Sequence, residues 1–236
     1  MYKRQVRTSA LRALGAYTNV FAIESFVDEM AHAHGADPVQ FRLNNLANPR
    51  VQAVIEAVAQ EAWHAPLPEG PPVEQRGRGI AFAQYKNSQT YLAALVDLAV
   101  NTDTGLINIV SATLAADSGR IISADGLSNQ LEGGAVQAAS WTLKEQVQME
   151  PGGIISEDWD SYPILRFSES FPVRTILLDR PDQRPLGCGE ASQGPMAAAI
   201  ANAVFAATGC RLRQLPLTPD RVLQALNDNS TTPPTN

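Results

Sequence analysis

Cysteine is scarce in this chain: Cys188 and Cys210 are the only two among 236 residues. Two thiols exclude a four-thiolate zinc or iron–sulfur site built from this chain alone, and they argue against a disulfide framework. Any relay of electrons through clusters would therefore lie on another polypeptide. Histidine is almost as rare, with His32, His34 and His64. His32 and His34 stand two apart, which on a helix turns them to different sides, so they read as a helix end rather than a metal pair. Long apolar runs are missing too: no stretch of about 18 residues could span a membrane. The opening "MYKRQVRTSALRAL" is basic but lacks the apolar centre of a secretory signal. Positive charge is outnumbered, 18 Lys and Arg against 24 Asp and Glu, for a net charge of -6. That balance argues against a nucleic-acid partner, which needs a basic face. Neither a Walker pattern nor G-x-G-x-x-G occurs.

What is present is an ordinary globular composition, 44% hydrophobic and 18% charged, with length enough for a sizeable core. Residues 1–17 are polar and glycine-interrupted and read as an arm or loop. From Asn19 to His34, Phe21, Ile23, Phe26, Val27 and Met30 recur at helical spacing, and Gly35 follows as a stop. Asp37 with Pro38, and Asn48 with Pro49, each place a capping side chain before a proline suited to the first helical position. The second of these predicts a helix burying Val51, Val54, Ile55 and Val58. Residues 1–63 thus form an N-terminal helical segment, and "HAPLPEGPPVEQRGRG" breaks all periodicity, giving a linker over 64–76. "GIAFAQYK", "TYLAALVDLAVN", "GLINIVSATLAAD" and "VRTILLD" read as strands, the middle two joined by "NTDTG" as an antiparallel pair. "DGLSNQLEGGAVQAASWTLKEQ" and residues 195–208 read as helices, the latter with Pro195 first and Gly209 beyond its end. Thr218 caps a short last helix. The expected fold is α+β: helical segment 1–63, linker 64–76, then an α+β domain over 77–227 with a mixed or antiparallel sheet and packed helices. Residues 228–236 are expected to be a disordered tail.

Two glycine-supported polar stretches break local rules. In "NQLEGGAVQAASW" a glycine pair interrupts a helix, at a cost of roughly 1 kcal/mol per glycine relative to alanine. Such glycines serve close backbone packing or close approach of a ligand. Gln130, just before the pair, offers an amide suited to a heterocycle or a phosphate, or is simply solvated beside a tight helix contact. In "RPLGCGEASQGPMAAAIANAVF", Glu190 follows Gly-Cys-Gly and precedes the alanine-rich helix. It is either an acid complementing the helix dipole or an ionised carboxylate presented as a general base. The same helix start could also serve as an anion site in a nucleotide-binding module.

"ALRALGAYTNVFAIESFVDEMAHAHGADPVQFRLNNL", "LAADSGRIISADGLSNQLEGGAVQAASWTL" and "RPLGCGEASQGPMAAAIANAVF", in that order, resemble one family. It is the C-terminal part of the molybdenum-binding large subunit of the xanthine dehydrogenase/aldehyde oxidase family, in its bacterial isoquinoline 1-oxidoreductase and nicotinate dehydrogenase form. The resemblance implies roles for four positions. Glu190 falls on the glutamate of the Gly-x-Gly-Glu loop, the base that deprotonates the molybdenum-bound hydroxyl, and Gly189 on the glycine that contacts the cofactor. Gln130 falls on the glutamine of a pterin-contacting loop. Arg12 falls on an arginine whose backbone lies against the metal centre, although the family's Arg-Gly-Phe-Gly is here Arg12-Ala13-Leu14-Gly15. Cys188 occupies a variable position and is no molybdenum ligand. The resemblance further implies a molybdopterin cofactor with Mo, in a cytosine dinucleotide form, and iron–sulfur clusters only on a partner chain. The implied partners are the upstream half of the large subunit, an iron–sulfur subunit, and a flavin or cytochrome electron acceptor. The implied reaction is oxidative hydroxylation of an N-heteroaromatic compound or an aldehyde with water, in bacterial cytoplasm or periplasm. The alternative is a truncated or split cofactor-binding or structural fragment with no activity by itself.

Overall fold

The computed structural model describes residues 9–231. The first eight residues of the expected arm and the last five of the expected tail lie outside that range. Three helices come first: α1 (Ala16–Ala33), α2 (Pro38–Asn45) and α3 (Pro49–Val58), the last extended by a π-helical turn over Ala59–Trp63. α2 and α3 begin on the capping devices legible in the sequence. Asp37 Oδ1 accepts from the N–H groups of Val39 and Gln40 at 2.9 Å, and Asn48 Oδ1 from Arg50 N–H at 2.9 Å. The prolines that follow lack the N–H that the first turn leaves unpaired anyway.

Strands β1 (Glu74–Gln84), β2 (Tyr91–Asn101) and β3 (Ile107–Asp117) form an antiparallel meander. Helix α4 (Ala124–Leu143) and the small hairpin β4 (Met149–Glu150) and β5 (Gly153–Ile154) follow, and β6 (Val173–Leu177) then pairs parallel to β3. The sheet order is β1-β2-β3-β6. Helices α5 (Gln193–Thr208) and α6 (Pro219–Thr231) complete the chain. This is the mixed α+β architecture expected from the sequence.

Both faces of the sheet are covered. Leu92, Ala94, Val96, Leu98 and Val100 of β2 face the core shared with α1, α4 and α5. Ala93 and Leu95 face a second core made with Val51, Val54, Ile55 and Val58 of α3. Burial on both faces explains why β2 is an almost unbroken apolar run instead of an alternating one. The helical segment is therefore built onto the sheet. A fully buried Arg42 reinforces this, donating from Nε to Glu24 Oε2 at 2.9 Å and from a terminal nitrogen to the Ile80 carbonyl at 3.3 Å. Glu24 Oε2 also accepts from Phe82 N–H at 2.9 Å, so α1, α2 and β1 share one satisfied polar network.

Alanine-rich α5 lies directly on β1. A Cβ at Gly77 would sit 2.1 Å from the Ala203 carbonyl oxygen, and one at Gly79 2.2 Å from the Ala203 nitrogen. The "GRG" stretch thus reads, in structure, as a strand pared down to admit a helix. It belongs to β1, which begins at Glu74, inside the segment expected to be linker, because Glu74 to Arg76 complete the ladder opposite Asn101 to Ala99. Three helix limits also differ from expectation. α1 starts at Ala16, α5 starts two residues before Pro195 at Gln193, and α6 runs to Thr231, taking in residues 228–231 of the expected tail. Val222, buried in the main core, and Leu226, packed against it, anchor α6, and the polar turn beyond them continues its hydrogen bonding. Among the described residues no helix is long and apolar enough to cross a membrane.

Candidate functional site

Two loops meet at one edge of the molecule, and a buried acid fixes the first. Asp117 ends β3 and accepts from Arg50 Nε at 2.9 Å, Arg180 Nε at 3.2 Å and Gly119 N–H at 3.0 Å. Burial pushes its carboxyl up, but the hydrogen bonds from Arg50, Gly119 and Arg180 outweigh it and hold the group below the ordinary carboxylate range. Gly119 turns the chain at φ +70°, and a Cβ there would lie 2.1 Å from the Arg184 carbonyl oxygen. Only glycine lets this loop close on the second one.

The second loop, 184–192, is stitched in place by its backbone. Leu186 N–H donates to the Ser118 carbonyl at 2.8 Å, Thr90 Oγ1 to the Gly187 carbonyl at 2.7 Å, and Gly187 N–H to Gln89 Oε1 at 2.8 Å. Its last four residues form a turn that leads into α5 at Gln193. Within that turn the Gly189 carbonyl is a focus of donors. It accepts from Gln130 Nε2 at 2.6 Å and from Arg12 through two guanidinium nitrogens, at 2.6 and 3.0 Å. Another Arg12 nitrogen donates to Gln137 Oε1 at 3.0 Å. The fully buried Gln193 completes the cluster: with its oxygen toward Arg12 it accepts at 2.9 and 3.0 Å, and its nitrogen reaches the Glu190 carbonyl at 3.2 Å.

Glu190 itself is half-buried. Its Oε2 accepts from the Tyr85 hydroxyl at 2.6 Å. That bond, then one from Ala13 N–H, holds its carboxyl below the ordinary glutamate range, and Lys86 and Arg12 add to the effect. The Tyr85 phenol is pushed up, by burial first and then by its bond to Glu190. Ala13 and Leu14 bring the backbone to this point at φ +80° and +52°, and at Ala13 the related pattern has a glycine. A left-handed alanine costs roughly 1–2 kcal/mol, so this bend is held by its surroundings.

Gln130 and Gly189, with Ser118, Ser123, Gly126 and Cys188, line a groove of about 360 Å³. The N-terminal turn of α4 opens into it, with Ser123 as its cap. No protein donor among the described residues reaches the Gln130 side-chain oxygen. Gly189 is exposed, and a Cβ there would meet nothing within 4 Å, so its lack of a side chain answers to no packing need. The two helix glycines divide the two roles open to them. Gly133 faces open space, whereas a Cβ at Gly134 would lie 2.2 Å from Ser192 Oγ. Burial pushes the Cys188 thiol up.

The structure thus brings Arg12, Gln130 and Gly189 into one hydrogen-bonded cluster. Glu190 adjoins it but does not line the groove; its carboxylate is turned toward Tyr85 and Ala13. Tyr85, Gln137 and Gln193 were not singled out from the sequence. Gln137 stands seven residues after Gln130, on the same helix face, which is a legible signal. Tyr85 carried none, ending a strand and opening a turn. His32 lies elsewhere, 3.4 Å from Asp28 and edge-on to Phe205.

The site is a groove between two glycine-bearing loops and the start of α4, with the Gln130 amide in its wall, and comparison with known proteins identifies the class and the family. The family model described as "Molybdopterin cofactor-binding domain" matches residues 14–171. The chain belongs to this family, that of the molybdenum hydroxylases. The match includes Gln130 and stops short of Glu190 and Arg12. A nicotinate dehydrogenase subunit from Pseudomonas putida is 39% identical over 94% of this chain and 20% of its own length. The beta subunit of isoquinoline 1-oxidoreductase from Brevundimonas diminuta is 32% identical over 92% of this chain and 27% of its own. The chain thus spans under a third of the length of these relatives. In fold it resembles quinoline 2-oxidoreductase from Pseudomonas putida 86, with a TM-score of 0.80 and 12% identity over 93% of this chain and 53% of that one. It also resembles the aldehyde oxidoreductase from Desulfovibrio gigas, with a TM-score of 0.77 and 16% identity over 94% of this chain and 42% of that one.

The residues present fit a molybdopterin. The groove is within the usual range for small-molecule sites. The Gln130 side-chain oxygen, which no donor among the described residues reaches, is available to a pterin edge, and Gly189, which lines the groove, exposes its backbone there. The α4 N-terminus complements the negative charge of a phosphate.

Proposed function

We propose that this chain contributes the catalytic base and part of the pterin site to a molybdenum hydroxylase that oxidises an N-heteroaromatic compound or an aldehyde. Gln130, the backbone at Gly189 and Arg12 would hold the cofactor, in a cytosine dinucleotide form. When bound, that group supplies a two-electron sink and activates water as the source of oxygen. Glu190 takes up a proton at Oε1, the oxygen that Tyr85 leaves uncovered. Arg12 and Gln130 hold the Gly189 carbonyl on one side of the carboxylate, while the loop 118–123 closes the other side of the groove. Electrons leave to iron–sulfur clusters on a partner subunit and on to a flavin or cytochrome acceptor. The remainder of the large subunit supplies the rest of the pocket that selects substrate.

The observation that carries this reading is the Glu190 carboxyl, bonded at 2.6 Å to Tyr85 and one residue from a carbonyl that gathers both Arg12 and Gln130. The test is co-expression with the neighbouring genes, followed by metal and pterin analysis of what copurifies and by turnover with nicotinate, isoquinoline and an aromatic aldehyde. Glu190→Gln should keep metal and pterin while turnover falls by about 10²–10⁴-fold, the range for loss of a positioned base. Full activity of that variant would refute the assignment. That Glu190 does not line the groove favours a second reading, a cofactor-binding segment inactive by itself. Purified chain loaded with cofactor should accordingly show no hydroxylation, and measurable turnover would overturn this reading.

A further inference from the structure

The β1–β2 turn carries a residue that reaches across the molecule to Glu190. After β1 the chain enters a short 3-10 turn, Tyr85–Asn87, in which Lys86 and Asn87 adopt φ +50° and +54°. Neither is glycine, so the turn holds backbone strain that its surroundings must enforce. Those surroundings are polar and specific. Tyr85 N–H donates to the Thr90 carbonyl at 2.9 Å, and Gln89 and Thr90 bond the backbone of Gly187, three residues before Glu190. The turn and the Glu190 loop are thus one stitched unit, and the Tyr85 hydroxyl spans the gap to Glu190 Oε2 at 2.6 Å. Lys86 Nζ lies over the Tyr85 ring at 5.2 Å and by itself favours the phenolate. Burial and the bond to the carboxylate outweigh it, so the proton stays on the phenol, where it is needed for donation.

The geometry points to Tyr85 as a positioning residue for Glu190: it fixes one carboxylate oxygen and so sets the direction in which the group presents itself for proton uptake. The inference rests on the reading of Glu190 as the base. A free glutamate turns about its last torsion and offers either oxygen, whereas here Oε2 is engaged by a neutral donor and Ala13 N–H steadies the group further. A phenol suits the task because it donates without bringing a positive charge that would quench the base. The charged and titratable groups facing Glu190 are Tyr85, Lys86 and Arg12, with Cys188 beside Arg12.

The test uses the full chain, with side-chain carboxyl carbons observed by NMR across a pH titration. The Glu190 signal is identified by its loss in Glu190→Gln. In Tyr85→Phe, Glu190 should titrate at higher pH than in the parent chain, because a donor to the ionised form is gone. Reciprocally, in Glu190→Gln the Tyr85 phenol, followed by its ultraviolet absorbance, should ionise at lower pH. An unchanged Glu190 titration in folded Tyr85→Phe overturns the inference. If that variant does not fold, an unchanged phenol titration in Glu190→Gln overturns it instead. In the co-expressed complex, Tyr85→Phe should move the acid limb of kcat to higher pH while KM changes by less than about twofold. An inactive Glu190→Gln beside an unmoved acid limb in Tyr85→Phe refutes the positioning role alone. A fully active Glu190→Gln refutes the base reading and, with it, the catalytic use of the pair.

Discussion

Replacing Gly79 by alanine would place a Cβ 2.2 Å from the Ala203 nitrogen and 2.3 Å from the Ala199 carbonyl oxygen. Both are backbone atoms of α5, so no rotamer change relieves the overlap. Ordinary carbon contacts lie near 3.5 Å, hence the helix must retreat from β1 by about 1 Å. A gap of that size forfeits roughly a quarter to a half of each dispersion contact along the interface. The face that loses them is large, since Met196 to Ala203 are all buried against the sheet and its neighbours. Overpacking of this kind costs about 1–3 kcal/mol and occasionally more, and an unyielding backbone puts Gly79→Ala at the upper end. For a chain of this size, about 3 kcal/mol lowers Tm by roughly 6–12 °C. Chemical denaturation of the purified chain should show the midpoint falling with little change in slope. Gly133→Ala is the control, because a Cβ there meets nothing within 4 Å and alanine favours the helix by about 1 kcal/mol. A loss below about 1 kcal/mol for Gly79→Ala, or equal effects at both positions, would refute the account of α5 lying against a pared strand.

Other outcomes follow from the same geometry. Gly189→Ala should leave Tm unchanged, since its Cβ would enter open space, yet reduce pterin retention in the co-expressed complex, read by metal and pterin analysis. Arg42→Met should cost about 3–5 kcal/mol in a denaturant titration, because it leaves Glu24 buried without its cation. Asp117 has a folded value below its ordinary one, so it contributes stability that is present above about pH 4 and lost as pH falls through that lower value. Asp117→Asn should therefore flatten the acid limb of the stability curve below about pH 4, and an unaltered limb would show that the Arg50 and Arg180 bonds do not matter.

Much of the fold was legible because local chemistry dictated it. Asp37-Pro38 and Asn48-Pro49 start helices by themselves, and a caps-and-prolines argument needs no distant partner. The strand β2 announced itself as an apolar run bounded by turn residues. Limits set by distant partners were not legible. Nothing near Glu74 indicates that Asn101 waits opposite it, and nothing near Asp228 indicates that Val222 and Leu226 anchor its helix to the core. The same division runs through the site. Glycine before Glu190, and glycines after Gln130, marked one loop and one helix as unusual, since glycine in such places has a physical cost.

The amino-acid order alone determined the starts of α2 and α3, the apolar strands and the two glycine-marked stretches, because each depends on a few neighbours and their backbone preferences. Tertiary structure decided that Gly134 serves packing while Gly133 and Gly189 leave open space. It also decided that Arg12 and Gln130 converge on one carbonyl, and that Tyr85 holds Glu190. Those pairings join residues from 59 to 177 positions apart. Hydrogen bonds act over about 3 Å in space, and only the folded chain decides which distant groups come that close.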